Sequence, residues 1–239
     1  MPTTVPLARA LSKLGILSRA RAREAILSGR VRVDGRIERN PMAAVVPERI
    51  HVAIDDVPQR RVPWRTILLH KPKGVVTTRR DPQGRRTVFD VVGAEEARGL
   101  VAVGRLDFAT SGLLLLTSDT ALADRLMDPA SAVPRVYLVT VRGQVTDAEA
   151  ARLVGGIGGL RAHTVTRRKV SSKESHLVVE LREGKNREVR RLLAGLGHEV
   201  TRLKRVSLGK LELGALAAGR WRSVSREEIA SAFPMIRAR

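Results

Sequence analysis

One acid stands apart in a chain crowded with cations. Asp107 lies in GRLDFATSGLLLLTSD, residues 104–119, in a polar loop between Arg105 and Thr110–Ser111–Gly112 that leads into the apolar run Leu113–Leu116. A carboxylate at the mouth of a core strand is costly to hold unless it is paired or used. An ion pair or a turn cap would account for it without chemistry; used as a reactive group it would serve as nucleophile or base. Two further segments carry residue types able to do chemistry. VPRVYLVTV, residues 133–141, carries Tyr137, the one tyrosine of the sequence, whose ring can stack and whose hydroxyl can move a proton, unless it is simply a half-buried strand tyrosine. In NREVRRLLAGLG the residues Val189, Leu192, Leu193 and Leu196 form a helical core stripe, with Arg187, Arg190 and Arg191 outside or beside it.

The rest of the composition limits what those groups can be doing. Forty-four Lys and Arg against 24 Asp and Glu give a formal net charge of +20, and such a surplus points to a polyanionic partner, nucleic acid foremost. Arginine makes up 36 of the 44 cations, which suits bidentate phosphate contacts but also follows from coding bias. There is no Cys, so thiol nucleophiles, disulfides and Cys-ligated metals are excluded. The histidines, at 51, 70, 163, 176 and 198, have no metal-ligand spacing, and no bound metal is expected. Three Phe, two Trp and one Tyr are too few for a module that stacks several bases on exposed rings. Neither a signal peptide nor a membrane span is legible, which gives the expectation of a soluble cytoplasmic protein with no membrane partner.

The elements that position these residues fall into two parts. In residues 1–58, Leu7, Ala10, Leu11 and Leu14 recur at helical spacing before Gly15. Ser18 can cap a second helix with an apolar face of Ala22, Ala25 and Ile26 before Gly29. Short strands in VRVDGRI and RIHVAI follow. VPQRRVP, residues 57–63, reads as the linker, and residues 63–239 as a second domain. There TILLH, GLVAVG, LLLLTS, VYLVTV, HLVVEL and RLKRVSL are strand-like, whereas TALADRLMD, TDAEAARLV and NREVRRLLAGLG are helical. This is an α+β pattern without the regular alternation of a parallel doubly wound sheet.

Residues 11–41, LSKLGILSRARAREAILSGRVRVDGRIERNP, resemble the S4 RNA-binding domain. Arg19, Arg21 and Arg23 at the amino end of its second helix would face phosphates together with free helical N–H groups, unless they form only a solvated face. The 104–119 string resembles the signature of the pseudouridine synthases related to the bacterial ribosomal small-subunit enzyme. HKPKG (70–74), VPRVYLVTV (133–141) and residues 183–216 resemble that family's other segments in order. The resemblance implies a small N-terminal S4 domain followed by a mixed, mainly antiparallel-sheet synthase domain. It makes Asp107 the catalytic acid, Tyr137 the active-site tyrosine and Arg190 the acid's basic partner. Lys71, Arg105, Arg187 and Arg191 are expected to contact RNA, Lys71 alternatively pinning the active-site loop. Ser118–Asp119–Thr120 departs from the usual Asn-Asp-Gly, a change to a turn or helix cap.

DPQGRRTVFDVV after KPKG, with KNREVRR, is most similar to the type acting on the large subunit. That implies a uridine of 23S ribosomal RNA, free or in an assembling large subunit, an isomerisation without cofactor, and a monomer by analogy. The competing readings are a 16S-directed enzyme of the same family, a non-catalytic S4-type ribosome-associated protein, and a DNA-binding regulator whose two N-terminal helices mimic helix-turn-helix. The last two leave the acid-bearing loop without a role.

Overall fold

The computed structural model describes residues 4–60 and 62–234. The chain divides into two compact units, the first made of residues 1–66 with 98–101 and 117–123, the second of 67–97, 102–116 and 124–239. The division is thus not simply linear: Thr66 and Thr117 share a hydrogen bond of 2.8 Å, and Ser118 Oγ accepts from the Arg65 N–H and donates to the Pro63 carbonyl.

In the first unit the helices Leu7–Lys13 and Arg19–Leu27 bury Leu7, Leu11, Ala22, Ala25 and Ile26 against Val31 and Val52. Ser18 caps the second helix, its hydroxyl accepting from the Arg21 N–H. At the other end Gly29, at φ +73°, donates to Ile26 O while Arg30 donates to Ala25 O, the paired bonds of a Schellman stop. The strands run in the order Arg36–Ile37, Val31–Val33, Val52–Ile54, Val57–Gln59, all antiparallel. Asp34 and Gly35, both at positive φ, form the two-residue turn of the first hairpin. Residues 57–59, read from sequence as the start of a linker, are instead an edge strand. Pro58 is tolerated there because an edge position need not donate on both sides. Arg61, also in that segment, lies outside the described residues.

The large sheet has the order Thr164–Val170, Glu174–Leu181, Arg135–Arg142, Val200–Leu208, Ser111–Thr117, Thr66–Lys71, Trp221–Ser223. Most pairings are antiparallel, while Ser111–Thr117 runs parallel to Val200–Leu208. Thr66–Lys71 is buried throughout and Ser111–Thr117 nearly so, which explains why both read as unbroken apolar runs rather than alternating ones. The helix Thr120–Met127 begins behind Asp119, whose carboxylate accepts from the Leu122 N–H, so the cap is carried by the one residue of 118–120 that keeps the Asn-Asp-Gly pattern.

Sequence periodicity missed the strand Thr164–Val170 and the helices Val88–Val92 and Arg226–Ala232. The strand carries Arg167, Arg168 and Lys169 in succession, lies at the sheet edge and is bulged there, so no inward apolar face announces it. The five-residue helix starts at a capping box made by Thr87 and Asp90.

Candidate active site

The loop that carries Asp107 is tied down from beneath. Lys71 ends the buried strand Thr66–Lys71 and is fully buried. Its ammonium donates to the carbonyls of Pro72 at 3.0 Å, Asp107 at 3.2 Å and Thr110 at 2.8 Å, which matches three N–H donors to three acceptors. The Thr110 N–H returns to Asp107 O, Gly74 N–H donates to Phe108 O, and Thr77 Oγ1 exchanges hydrogen bonds with both backbone groups of Leu106. The backbone around Asp107 is therefore fixed, while its side chain keeps 29% of its surface open. Burial pulls the Lys71 pKa down to about 8, with the negative charge of Asp107 acting in the opposite sense. Lys71 is not an RNA contact as expected from sequence: no phosphate can reach an ammonium enclosed by backbone carbonyls. It is the loop pin.

Where the loop enters its strand, Gly112 has φ +115°, and a Cβ there would lie 2.1 Å from the Arg205 carbonyl oxygen. The close parallel pass of Ser111–Thr117 beside Val200–Leu208 requires glycine. The registers line up Gly112 with Arg205 and Arg205 with Tyr137, so three adjacent strands place the tyrosine level with the end of the Asp107 loop.

Alternation along Arg135–Arg142 puts Arg135, Tyr137, Val139 and Val141 on one buried face. Two inward cations, Arg135 on this strand and Arg205 on Val200–Leu208, escaped sequence reasoning, although a charge at an inward position of an apolar alternation was the available signal. Arg135 donates to Val133, Arg182 and Leu126 carbonyls, and burial depresses its pKa. Arg205 Nε donates to Leu113 O at 2.7 Å, and its Nη2 is buried with no partner among the described residues.

The third contribution comes from the helix Glu188–Ala194. Arg187 precedes it in a left-handed conformation, φ 49° and ψ 32°, a strained state for a side chain of this size. Its Nη1 lies 3.5 Å from Asp107 Oδ2. Glu188, also missed in the sequence, is buried, and one carboxylate oxygen holds the preceding turn through the Gly184 and Lys185 N–H groups. Burial raises its pKa.

Arg190 is arranged differently from the direct partner of Asp107 expected above. Its fork donates to Val200 O at 2.9 Å and Ala109 O at 3.4 Å, and the ion-pair contact with the acid belongs to Arg187. A half-buried guanidinium needs acceptors nearby, and these two carbonyls supply them, whereas the left-handed Arg187 stands outside the helix where it can reach the acid. Arg190 still acts on the acid through its charge. Burial lowers its pKa first, the like charge of Arg187 adds to this, and Asp107 opposes both.

Arg105 and Arg191 are exposed near this group in sequence, and Arg19, Arg21 and Arg23 are exposed on their own helix in the first unit. Among the described residues no group of three or more His, Cys, Asp or Glu is placed to hold a metal ion, and no helix is long and apolar enough to cross a membrane. The arrangement brings together a fixed, partly open carboxylate, a cation beside it and a second cation bracing its loop, while the buried Tyr137 stands two strands from the loop's end. That set can carry nucleophilic or proton-transfer chemistry at an anionic substrate.

Residues 65–195 match the model of the family described as RNA pseudouridylate synthase, and residues 5–46 match the S4 domain. An uncharacterized RNA pseudouridine synthase of Aquifex aeolicus is 36% identical over 231 residues, covering 95% of this chain and 92% of its own. The ribosomal large subunit pseudouridine synthase B of Vibrio cholerae is 38% identical over 238 residues, covering 93% and 72%. A crystal structure of a pseudouridylate synthase superimposes with a TM-score of 0.65 at 26% identity, over 94% of this chain and 98% of that one.

Proposed function

Since the chain belongs to the RNA pseudouridylate synthase family and carries an S4 domain, we propose that it converts a uridine of large-subunit ribosomal RNA, 23S, to pseudouridine. Asp107 is the catalytic residue and acts in the cytoplasm on free RNA or an assembling subunit. The observation that carries this reading is the fastening of the Asp107 loop: the five residues from 106 to 110 are all bonded at the backbone, yet the carboxylate remains open beside Arg187. The relatives named for the large ribosomal subunit support the choice of RNA.

The reaction breaks the N1–C1′ bond, turns the uracil, and joins C5 to C1′, with the C5 proton lost and one gained at N1. Atoms and electrons balance without a redox partner. The uridine must leave its stack, at a cost of a few kcal/mol that phosphate contacts offset. On the extruded nucleotide the Asp107 carboxylate attacks C1′ or C6, or takes the 2′ proton. Arg187 lies 3.5 Å from that carboxylate, and Arg190 braces its loop through the Ala109 carbonyl. Tyr137 supplies a flat face for the uracil and a hydroxyl for the proton at C5. Residues 1–58 form the RNA-gripping domain, with Arg19, Arg21 and Arg23 on phosphates, and 63–239 the catalytic domain, the chain acting as a monomer. Arg105, Arg187 and Arg191 extend the basic surface toward RNA.

Carbodiimide mapping of ribosomal RNA incubated with the pure protein tests the substrate. A single new labelled position in the large-subunit RNA is expected. A position in the small-subunit RNA instead would assign the chain to the other ribosomal target, and none in either would remove the reading.

A further inference from the structure

Phe108 follows Asp107 directly and leaves 48% of its surface exposed, in a chain with only six aromatic residues. Its backbone is not loose, because its carbonyl accepts from Gly74 N–H at 2.8 Å and the flanking carbonyls of Asp107 and Thr110 are held by Lys71. Over the ring stands the Arg85 guanidinium, 5.9 Å from the ring centre.

Arg85 is itself locked. Asp81 Oδ2 accepts from the Arg85 backbone N–H and from Nε, each at 2.9 Å, and Oδ1 accepts from Nη2 at 2.7 Å. The Asp81 side chain is 5% exposed, while that of Arg85 keeps 44% of its surface open. A surface arginine ordinarily keeps its rotamer freedom, which is given up here to hold one planar orientation. The loop between is fixed too, with Gly84 N–H donating to Asp81 O and Thr78 Oγ1 to Arg80 O. Asp81 also offsets one positive charge, which leaves Arg85 better suited to stacking than to gripping a phosphate.

We propose that Phe108 and Arg85 form a stacking ledge for the nucleobase that flanks the target uridine in the RNA. This rests on the function proposed above. Extruding a uridine strips its neighbours of a stacking face, and a flat group that covers what is exposed recovers part of that cost beyond what phosphate contacts offset. A phenyl ring one residue from the reacting carboxylate, with a fixed guanidinium plane beside it, is placed to do that. Every base has a π face, so the ledge stabilises the opened RNA without reading the identity of the flanking base.

The test is a two-way cycle on an RNA fragment bearing the uridine that carbodiimide mapping assigns. Single-turnover kcat/KM is measured for wild type and Phe108→Ala, on the intact fragment and on fragments made abasic at either flanking position. Loss of the ring is expected to lower kcat/KM roughly five- to hundredfold, loss of one flanking base to lower wild type by a similar factor, and the two together to add almost nothing. Phe108→Tyr restores the rate. Phe108→Leu, which keeps apolar packing but has no flat face, behaves like Phe108→Ala. Multiplicative losses at both flanks, or a wild-type rate in Phe108→Leu, overturn the ledge while leaving the function standing. Absence of pseudouridine from wild type on every ribosomal RNA overturns the function and the ledge with it.

Discussion

Lys71 is the residue whose surroundings make the sharpest demand. Its folded pKa of about 8 lies below the ordinary 10.5, so between those values the unfolded chain holds a proton that the folded chain has released. Stability contributed at this site therefore rises as pH increases from about 8 to about 10.5, by about 3 kcal/mol if the whole shift is realised. Denaturant titration of wild type and Lys71→Met at about pH 7 and about pH 10 should show that rise in wild type only. Equal pH responses in the two proteins would contradict it. Lys71→Met should also lose most turnover, since three loop carbonyls are left without their donor. The two helix arginines should separate as well. Arg187→Met breaks a half-exposed pair and should cost well under 1 kcal/mol of stability, whereas Arg190→Met leaves the Val200 and Ala109 carbonyls without their donor and should cost about 1–3 kcal/mol. Comparable losses in the two would mean that Arg190 does not brace the Ala109 segment.

At the scale of elements, the parallel pass between Ser111–Thr117 and Val200–Leu208 is the joint on which the site depends. Gly112→Ala places a methyl group 2.1 Å from the Arg205 carbonyl, against backbone that cannot swing aside. It should cost well over 2 kcal/mol and displace the Asp107 loop. Gly143→Ala, at φ +79° with open space around it, carries only the left-handed penalty of roughly 1–2 kcal/mol. Thermal unfolding of both distinguishes crowding from dihedral strain, and equal shifts would deny the close approach. Much of this layout was legible in the sequence. The buried strands announced themselves by apolar runs, Ser18 and Gly29 marked a helix at both ends, and the four motif segments appeared in order. What stayed hidden had no apolar period to show it: the cationic edge strand Thr164–Val170, and the inward Arg135, Arg205 and Glu188, whose partners are backbone groups brought together by tertiary folding. The distribution of roles between Arg187 and Arg190 was likewise illegible, because it depends on one left-handed residue that no pattern of types discloses.

For the whole molecule, the proposed function assigns the grip on RNA to the surplus of +20 charges and the chemistry to one carboxylate. Replacing Arg19, Arg21 and Arg23 together by Gln should flatten the log–log salt dependence of RNA binding by roughly 0.7–0.9 for each phosphate no longer neutralised, with single-turnover rate at saturating RNA unchanged. An unchanged slope would take these residues off the phosphates. This substitution is a cleaner test than truncation, since residues 98–101 and 117–123 belong to the first unit as well. The central claim is that Asp107 performs the chemistry, and the most direct measurement compares wild type with Asp107→Asn in single turnover on ribosomal RNA, reading pseudouridine by carbodiimide labelling and RNA affinity in parallel. Asparagine is nearly isosteric but neither nucleophilic nor basic, so labelling should vanish while affinity stays within a few-fold of wild type. Pseudouridine formed by the pure Asp107→Asn protein at a measurable rate would contradict the account.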